Sequence, residues 1–422
     1  SLDSGITKTQ ANRVSVDPYL VWKTGKVSHN VNTRYLYVDN KVDNGDTSSD
    51  QSNQSQLLYA EYRASTYINR LGVNASLGTS FISAKTASPL FTGNQTAKNS
   101  ALYLQLEKKI SKLTFNGGVR YESFSLNDSN ESKPVFRAGL NYKLLKYTFL
   151  RASYGQGYRF PSIAESYITT TVGPVSIYPN NNLQSETGSN LEFGLKQGFK
   201  IGKTGLLLDG AWYRMEFNNL MEFTFGQWGP VRPPLFGAGF KTLNTGKSEI
   251  SGFETTLSFE RKGKLNLTGF VGFNHSNPIM LEPNKVIAVD NSNTELTFRN
   301  TSANSNGNVL KYRPRNQFKA DVIVDYNKVK IGFGAQYQSK MENIDTAFIA
   351  PPISFYVPGI ETSFTNDLTQ YLLLNARVGY EPVKGINLNL IATNLLNKEY
   401  AIRPADLGAP RLVRLQIIYT KS

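Results

Sequence analysis

Apolar and polar side chains alternate one for one along most of this chain. Leu71, Val73, Ala75, Leu77 and Phe81 are interleaved with Gly72, Asn74, Ser76 and Gly78. Phe136, Ala138, Leu140, Tyr142 and Leu144 are interleaved with Arg137, Gly139, Asn141 and Lys143, and Val329, Ile331, Phe333, Ala335 and Tyr337 with Lys330, Gly332, Gly334 and Gln336. A period of two marks a strand with one apolar and one polar face. Such strands serve a soluble sandwich or a membrane barrel. Most of these run past about 10 residues, whereas sandwich strands run to about 5 or 6, and that length selects the barrel. The pattern predicts about seventeen strands, beginning near residues 14, 28, 56, 71, 100, 112, 134, 147, 189, 205, 240, 264, 317, 329, 369, 386 and 411. Aromatic residues near strand ends, such as Tyr121 with Phe124 and Tyr154 with Tyr158, suit girdles at the two membrane surfaces.

The connections between strands alternate in length. Short turns fall at 24–26, 69–70, 108–112, 144–146, 202–205, 262–264, 327–330 and 382–385, and long polar loops at 40–55, 83–99, 127–133, 160–188, 226–239, 275–316, 341–368 and 398–410. Short periplasmic turns opposite long extracellular loops are the outer-membrane barrel arrangement. With Ser422 on the short-turn side, counting back puts the N-terminus on the long-loop side. The strand number is then odd, whereas a closed antiparallel sheet needs an even one. An odd number of strands is therefore expected upstream of Ser1.

One stretch carries more than architecture. Tyr147 to Tyr167 reads YTFLRASYGQGYRFPSIAESY, a strand with Arg151, Ser153, Gly155 and Gly157 on one face, ending at Pro161, and PNNNLQSETGSNLEFGL leads into the next strand. This resembles the TonB-dependent outer-membrane receptors, in which an Arg-x-Ser-Tyr-Gly…Gly-Tyr-Arg-x-Pro strand precedes an extracellular loop and an Asn…Leu…Glu…Leu-Glu-x-Gly strand. The matching residues are Arg151, Ser153, Tyr154, Gly155, Gly157, Tyr158, Arg159 and Pro161, then Asn182, Leu183, Glu186, Leu191, Glu192 and Gly194. Further matches are Asn244-Thr245-Gly246 with Ser251-Gly252-Phe253-Glu254, then Arg313-Pro314 with Phe318, and the run Ala392 to Tyr400 (ATNLLNKEY), the most specific of them. In that reading Gly252 relieves crowding, Glu254 faces the lumen, and the asparagines of the last motif bond backbone at a turn. The chain departs from the family where Thr-Lys-Ser follows Tyr419 in place of an aromatic end.

The resemblance implies an all-β fold: a transmembrane antiparallel barrel of about twenty-two strands around a plug. Residues 1–422 supply about seventeen of these, with about five strands and the plug preceding Ser1. It also implies the outer membrane of a Gram-negative bacterium, import of a large scarce solute (siderophore, haem, cobalamin or oligosaccharide), and energy delivered to the plug by the inner-membrane TonB complex. Outer-membrane lipid, lipopolysaccharide and an optional surface lipoprotein complete the implied partners. Candidate solute contacts are the inward Arg137, Arg151, Arg159 and Glu192, with the loop aromatics Tyr167, Tyr178, Trp228, Phe236, Phe355 and Tyr356 above them. The alternative is a passive porin, which the motifs disfavour.

Composition narrows the rivals. No run of about 18 apolar residues exists for a membrane helix, which leaves strands as the way to span. Cysteine is absent, so no disulfide or thiol chemistry is available. His29 and His275 stand on different strands with no serine partner evident, so an enzyme is not expected, nor a metal or other cofactor. The net charge of +14 is spread over nearly every strand and turn rather than gathered on one face, which favours a polar lumen over nucleic acid. Gly155-x-Gly157 lacks the third glycine and the helix of a nucleotide cradle. Asp39 to Asp50 holds four aspartates, but aligning Gly45 with the sixth position of a calcium loop puts Val42 at a ligand position, so a solvated loop is expected.

Overall fold

The structure, a computed structural model, describes residues 8–43, 50–172, 175–230, 237–351, 353–356, 358–404 and 406–420. It opens with β1 (Lys8–Val16), β2 (Tyr19–Thr24), β3 (Val27–Asp43), β4 (Asn53–Ile68), β5 (Val73–Ser88), β6 (Gly93–Ile110), β7 (Leu113–Leu126), β8 (Ser129–Leu145) and β9 (Thr148–Arg159). A long connection then carries helix α1 (Ile163–Tyr167) and two short strands, β10 (Thr170–Val172) and β11 (Val175–Tyr178). The wall resumes with β12 (Glu186–Ile201) and β13 (Thr204–Asn218), is left for β14 (Met221–Gln227) and β15 (Ala238–Asn244), and continues with β16 (Ser248–Arg261) and β17 (Leu265–Met280). After the hairpin β18 (Val286–Val289) and β19 (Glu295–Thr297) come β20 (Asn316–Tyr326) and β21 (Val329–Gln338), then helices α2 (Ile353–Tyr356) and α3 (Pro358–Thr365). The last wall strands are β22 (Tyr371–Val383), β23 (Ile386–Thr393) and β26 (Leu412–Tyr419), with the small pair β24 (Ala401–Arg403) and β25 (Asp406–Leu407) before β26.

Every wall strand pairs antiparallel with its neighbours in chain order, without a crossover. β1 and β2 both lie on β3 and form one ribbon, so the wall has the expected seventeen. The break falls at Pro18, which has no N–H to donate, although its carbonyl still accepts from Thr33 N at 3.0 Å. Among the described residues, the ribbon β1–β2 at one border and β26 at the other have no second neighbour in the sheet.

Register sorts the side chains. Gly78, Tyr103 and Arg120 share one face, as do Arg151, Gly194, Ala211 and Glu254. The other face carries Phe81, Leu102, Phe193, Trp212, Phe253 and Leu415, all exposed. An exposed apolar face of this extent is what hydrocarbon requires on the outside of a barrel. No helix among the described residues is long and apolar enough to cross a membrane.

All eight turns such as Gly25-Lys26 and Gly202-Lys203 lie at one rim, with no more than four residues between paired strands. Gly25 and Gly202 take positive φ (58° and 57°) to close them. At the other rim the structure corrects five expectations. The wall strand placed near 240 starts at Ser248, because residues 238–244 leave the wall to pair with β14 and β11. The loops expected at 83–99 and 127–133 are largely strand, since β5 and β6 run on together to Ser88 and Gly93, and β7 turns into β8 through Asn127-Asp128 alone, with Asn127 at φ 51°. Polar residues can continue a ladder once it has left the bilayer, because water solvates both faces. The first strand starts at Lys8 rather than near 14. Finally, β3 extends to Asp43, while residues 44–49 of the aspartate-rich loop lie outside the described residues.

The motif glycine and asparagines do what their chemistry allows. A Cβ on Gly252 would stand 2.1 Å from His275 O. Buried Asn394, at φ 51°, accepts from Lys398 N at 2.9 Å and donates to Lys398 O at 2.9 Å and Ala409 O at 3.2 Å. Asn397 accepts from Arg411 N at 2.9 Å, so this turn sets the entry of the last strand.

The two faces should respond differently to charge. Phe193→Arg, mid-strand on the apolar face, is expected to destabilise by about 2–4 kcal/mol, measured by urea unfolding in lipid, while Glu192→Gln on the opposite face costs less. Equal losses at the two positions would contradict this assignment of faces.

Candidate functional site

The buried apolar residues concentrate not in the wall but in the loops at its long-loop rim. One cluster joins Val175, Ala347 and Ile353 to Phe225, Phe240 and Phe348, and a second joins Leu220, Met280, Phe298 and Leu310. The sheet β10–β11–β15–β14 supplies much of the first, its partners coming from the loop between β21 and β22. Four connections thus fold together into one cap.

Polar groups pin the cap internally. Lys311 Nζ, 3% exposed, donates to Asp345 Oδ2 at 2.9 Å and Thr301 Oγ1 at 3.0 Å, and lies 5.7 Å from the Phe298 ring centroid. Asp345, 0% exposed, also accepts from Ala347 N at 3.0 Å and donates its own N–H to Tyr312 Oη at 3.0 Å. Asn244, of the Asn-Thr-Gly motif, donates to Gln184 O and Asn219 O at 2.9 Å each. Glu222 is largely buried, with Arg313 at 3.7 Å. Burial pushes its carboxyl above the usual glutamate range, against the opposing pull of Arg313 and then Lys311.

The sequence-derived candidates scatter over this frame. Arg151 donates from Nε to Glu192 at 2.8 Å and from Nη1 to Asp209 at 2.5 Å, lying across Gly194, where a Cβ would stand 2.5 Å from its Nε. Arg159 is held by Glu165 at 2.7 Å and Glu186 at 3.0 Å, and Glu165 closes the capping box of α1 with Ser162. Arg137 donates to Gln105 at 2.8 Å and lines a wall pocket of about 640 Å³ with Glu61, Arg63, Tyr103 and Arg120. Arg151 and Glu192 are therefore brought together; Arg137 and Arg159 stand apart from them.

Of the aromatics, Tyr178 ends β11 of the cap sheet and Trp228 follows its strand β14. Tyr178 packs on Gly229, and Trp228 donates from Nε1 to Thr224 O at 3.3 Å. Tyr167 ends α1 half-buried. Phe355 and Tyr356 on α2 are 75% and 48% exposed. Phe236 lies outside the described residues. Lys241 was not singled out from sequence, yet its Nζ lies 5.1 Å from the Trp228 ring centroid. Nothing in the alternation marks it, because that signal is shared by wall strand and cap strand. Among the described residues no group of three or more His, Cys, Asp or Glu is placed to hold a metal.

An unbroken antiparallel wall with a packed loop cap at one rim defines an outer-membrane-type β-barrel. The sequence model of the family described as TonB dependent receptor-like, beta-barrel matches residues 5–395, and the chain belongs to that family. It is 23% identical over 326 residues to the Vitamin B12 transporter BtuB of Vibrio cholerae, covering 76% of this chain and 42% of that protein. The hemophore receptor HasR of Serratia marcescens, solved with its hemophore HasA and heme, superposes with a TM-score of 0.68 at 15% identity, over 98% of this chain and 66% of that one. The siderophore receptor PirA of Pseudomonas aeruginosa gives 0.68 at 11%, over 98% and 64%. These structures show a shared fold, and the chain spans well under half the length of the curated relatives it matches.

Two outcomes follow for the cap. Lys311→Met strands a buried carboxylate and is expected to cost about 3–5 kcal/mol, read as faster amide exchange over 301–312 and 343–348; Lys311→Met with Asp345→Leu recovers most of it. For Glu222, the native state keeps a proton that the unfolded chain has already released, so cap stability declines as pH rises from the ordinary glutamate range to the raised value. Glu222→Gln should flatten that decline in limited-proteolysis rates measured against pH; an unchanged profile would show that Glu222 is not its source.

Proposed function

We propose that this chain is the wall and solute-facing cap of an energy-coupled importer in the outer membrane of a Gram-negative bacterium. A large scarce solute, of the siderophore, haem, cobalamin or oligosaccharide kind, is captured at the cap and passes down the polar face of the wall. The observation that carries this reading is the asymmetry of the two rims: eight tight turns at one, a packed cap at the other. A passive pore has no need of a folded receptor surface at its mouth. The names of the relatives support the same class, since they are a vitamin B12 transporter, a hemophore receptor and a siderophore receptor.

The reading includes partners. Among the described residues the borders β1–β2 and β26 have no second neighbour, which leaves backbone donors and acceptors that hydrocarbon does not tolerate. An odd number of further strands of the same protein, about five, closes that seam, and a plug within the bore receives energy from the inner-membrane TonB complex. The apolar face meets outer-membrane lipid, with lipopolysaccharide around the upper wall, and a surface lipoprotein is an optional companion at the cap.

Cells carrying the whole protein test this with cobalamin, haem and ferric siderophores in turn. For the true solute, surface binding persists when the inner-membrane gradient is collapsed while accumulation falls to background. Accumulation that continues without the gradient would establish the passive pore instead.

A further inference from the structure

Among the described residues most cations of the cap are matched, exposed Lys247 aside. Lys311 pairs with Asp345 at 2.9 Å, Arg315 with Glu342 at 2.8 Å, Lys285 with Glu282 at 3.4 Å and Arg313 with Glu222 at 3.7 Å, while Arg299 donates to Asn284 and to Ser305 O. Lys241 is different. It is half-buried on β15, and among the described residues neither a carboxylate nor a hydrogen-bond acceptor meets its Nζ. Its one neighbour of opposite character is the indole face of Trp228, and a cation–π contact of this kind contributes about 0.5–2 kcal/mol. That is small beside the cost of withdrawing an ammonium from water. Burial alone holds its amine below the ordinary lysine range, with no charge partner acting on it.

The surroundings of Lys241 are shaped around two rings. Tyr178 is in register with Lys241 across the parallel β11–β15 pair, so the two side chains share a face. Three glycines clear that face: a Cβ on Gly229 would lie 2.3 Å from Tyr178 Oη, one on Gly239 2.8 Å from Tyr178 Cε2, and one on Gly226 2.9 Å from Trp228 Cζ2. Among the described residues neither the Tyr178 hydroxyl nor the Lys241 ammonium makes a hydrogen bond. The opposite face of the same sheet packs Phe225 and Phe240 into the cap core, so the site rests on a fixed floor.

We propose that Lys241, Tyr178 and Trp228 form the first-contact subsite for an organic anion: a carboxylate or phenolate oxygen is taken between the Lys241 ammonium and the Tyr178 hydroxyl, with its carbon skeleton against the indole. This rests on the importer reading for its physiological setting and names the chemical class of the solute, an acid rather than a neutral or cationic molecule. The anion supplies the counter-charge that the fold withholds from Lys241, which is why a site complete in shape is incomplete in charge.

The test uses the whole protein in detergent micelles with every tryptophan other than Trp228, Trp22 and Trp212 among them, replaced by phenylalanine, so that emission reports on Trp228. Benzoate and its neutral isostere benzamide are the probes. Benzoate is expected to give a saturable change, benzamide one at least about tenfold weaker. Lys241→Gln should weaken benzoate by about tenfold or more and Tyr178→Phe by a few-fold, whereas Lys241→Arg, which keeps the charge, retains binding and shows that the site still folds. Exposed Lys247→Gln serves as the control and leaves the titration unchanged. Equal response to both probes, no effect of Lys241→Gln, or no saturation by about 100 mM benzoate overturns the proposal. The micelle titration needs no energised membrane, so failure of the importer reading leaves it standing, and its own failure leaves energised uptake untouched.

Discussion

Hydrocarbon offers a backbone N–H or C=O no partner, and that single restriction dictates the wall. Every strand must find its hydrogen bonds in its neighbours, so the chain runs up and down without a crossover from β3 through β26. Pro18 shows how strict the rule is: even where the donor is missing, the carbonyl keeps its bond to Thr33. The same restriction gives the two unpaired borders their meaning, because an open ladder edge is stable in water only when it is protected and is not tolerated in lipid at all.

Once the outside is committed to lipid, charge has to go inward, and the wall shows how it is accommodated. Arg151 lies across Gly194 and is held by Glu192 and Asp209; Arg377 lies across Gly332 and is held by both oxygens of Asp321 at 2.9 and 2.7 Å. In both places the guanidinium lies where the facing residue has no Cβ. These arginines are consequently satisfied by the wall itself.

The cap is built on different physics. Outside the bilayer the hydrophobic effect operates again, and loops that alternation describes only as polar bury Phe298, Met280, Leu310, Ile344 and Ile353 almost completely. A buried ion pair between Lys311 and Asp345 joins loops more than thirty residues apart in sequence. Such pairs contribute less to stability than to holding one arrangement against others. The result is a firm surface, on which the glycine-floored pair Tyr178 and Trp228 is held beside Lys241.

Period-two alternation, strand length and the sorting of turns by side were enough to read the number of ribbons, the place of all but one of them, their faces and the eight tight turns, because each depends on residues adjacent in the chain. The turn at Asn394 and the crowding at Gly252 were legible through the motifs the chain shares with its family. What alternation missed lies where the bilayer no longer dictates the pattern. Residues 238–244 alternate as a wall strand does, yet they pair with β14 and β11 because Phe225, Phe240 and Phe348 bury one another there. The pairing of Arg151 with Asp209, and the solitude of Lys241, depend on which strands come side by side. Local composition thus determined that this chain is a membrane wall. Only the tertiary structure decided which of its charges are neutralised, since neutralisation is a property of distances between residues far apart in the chain.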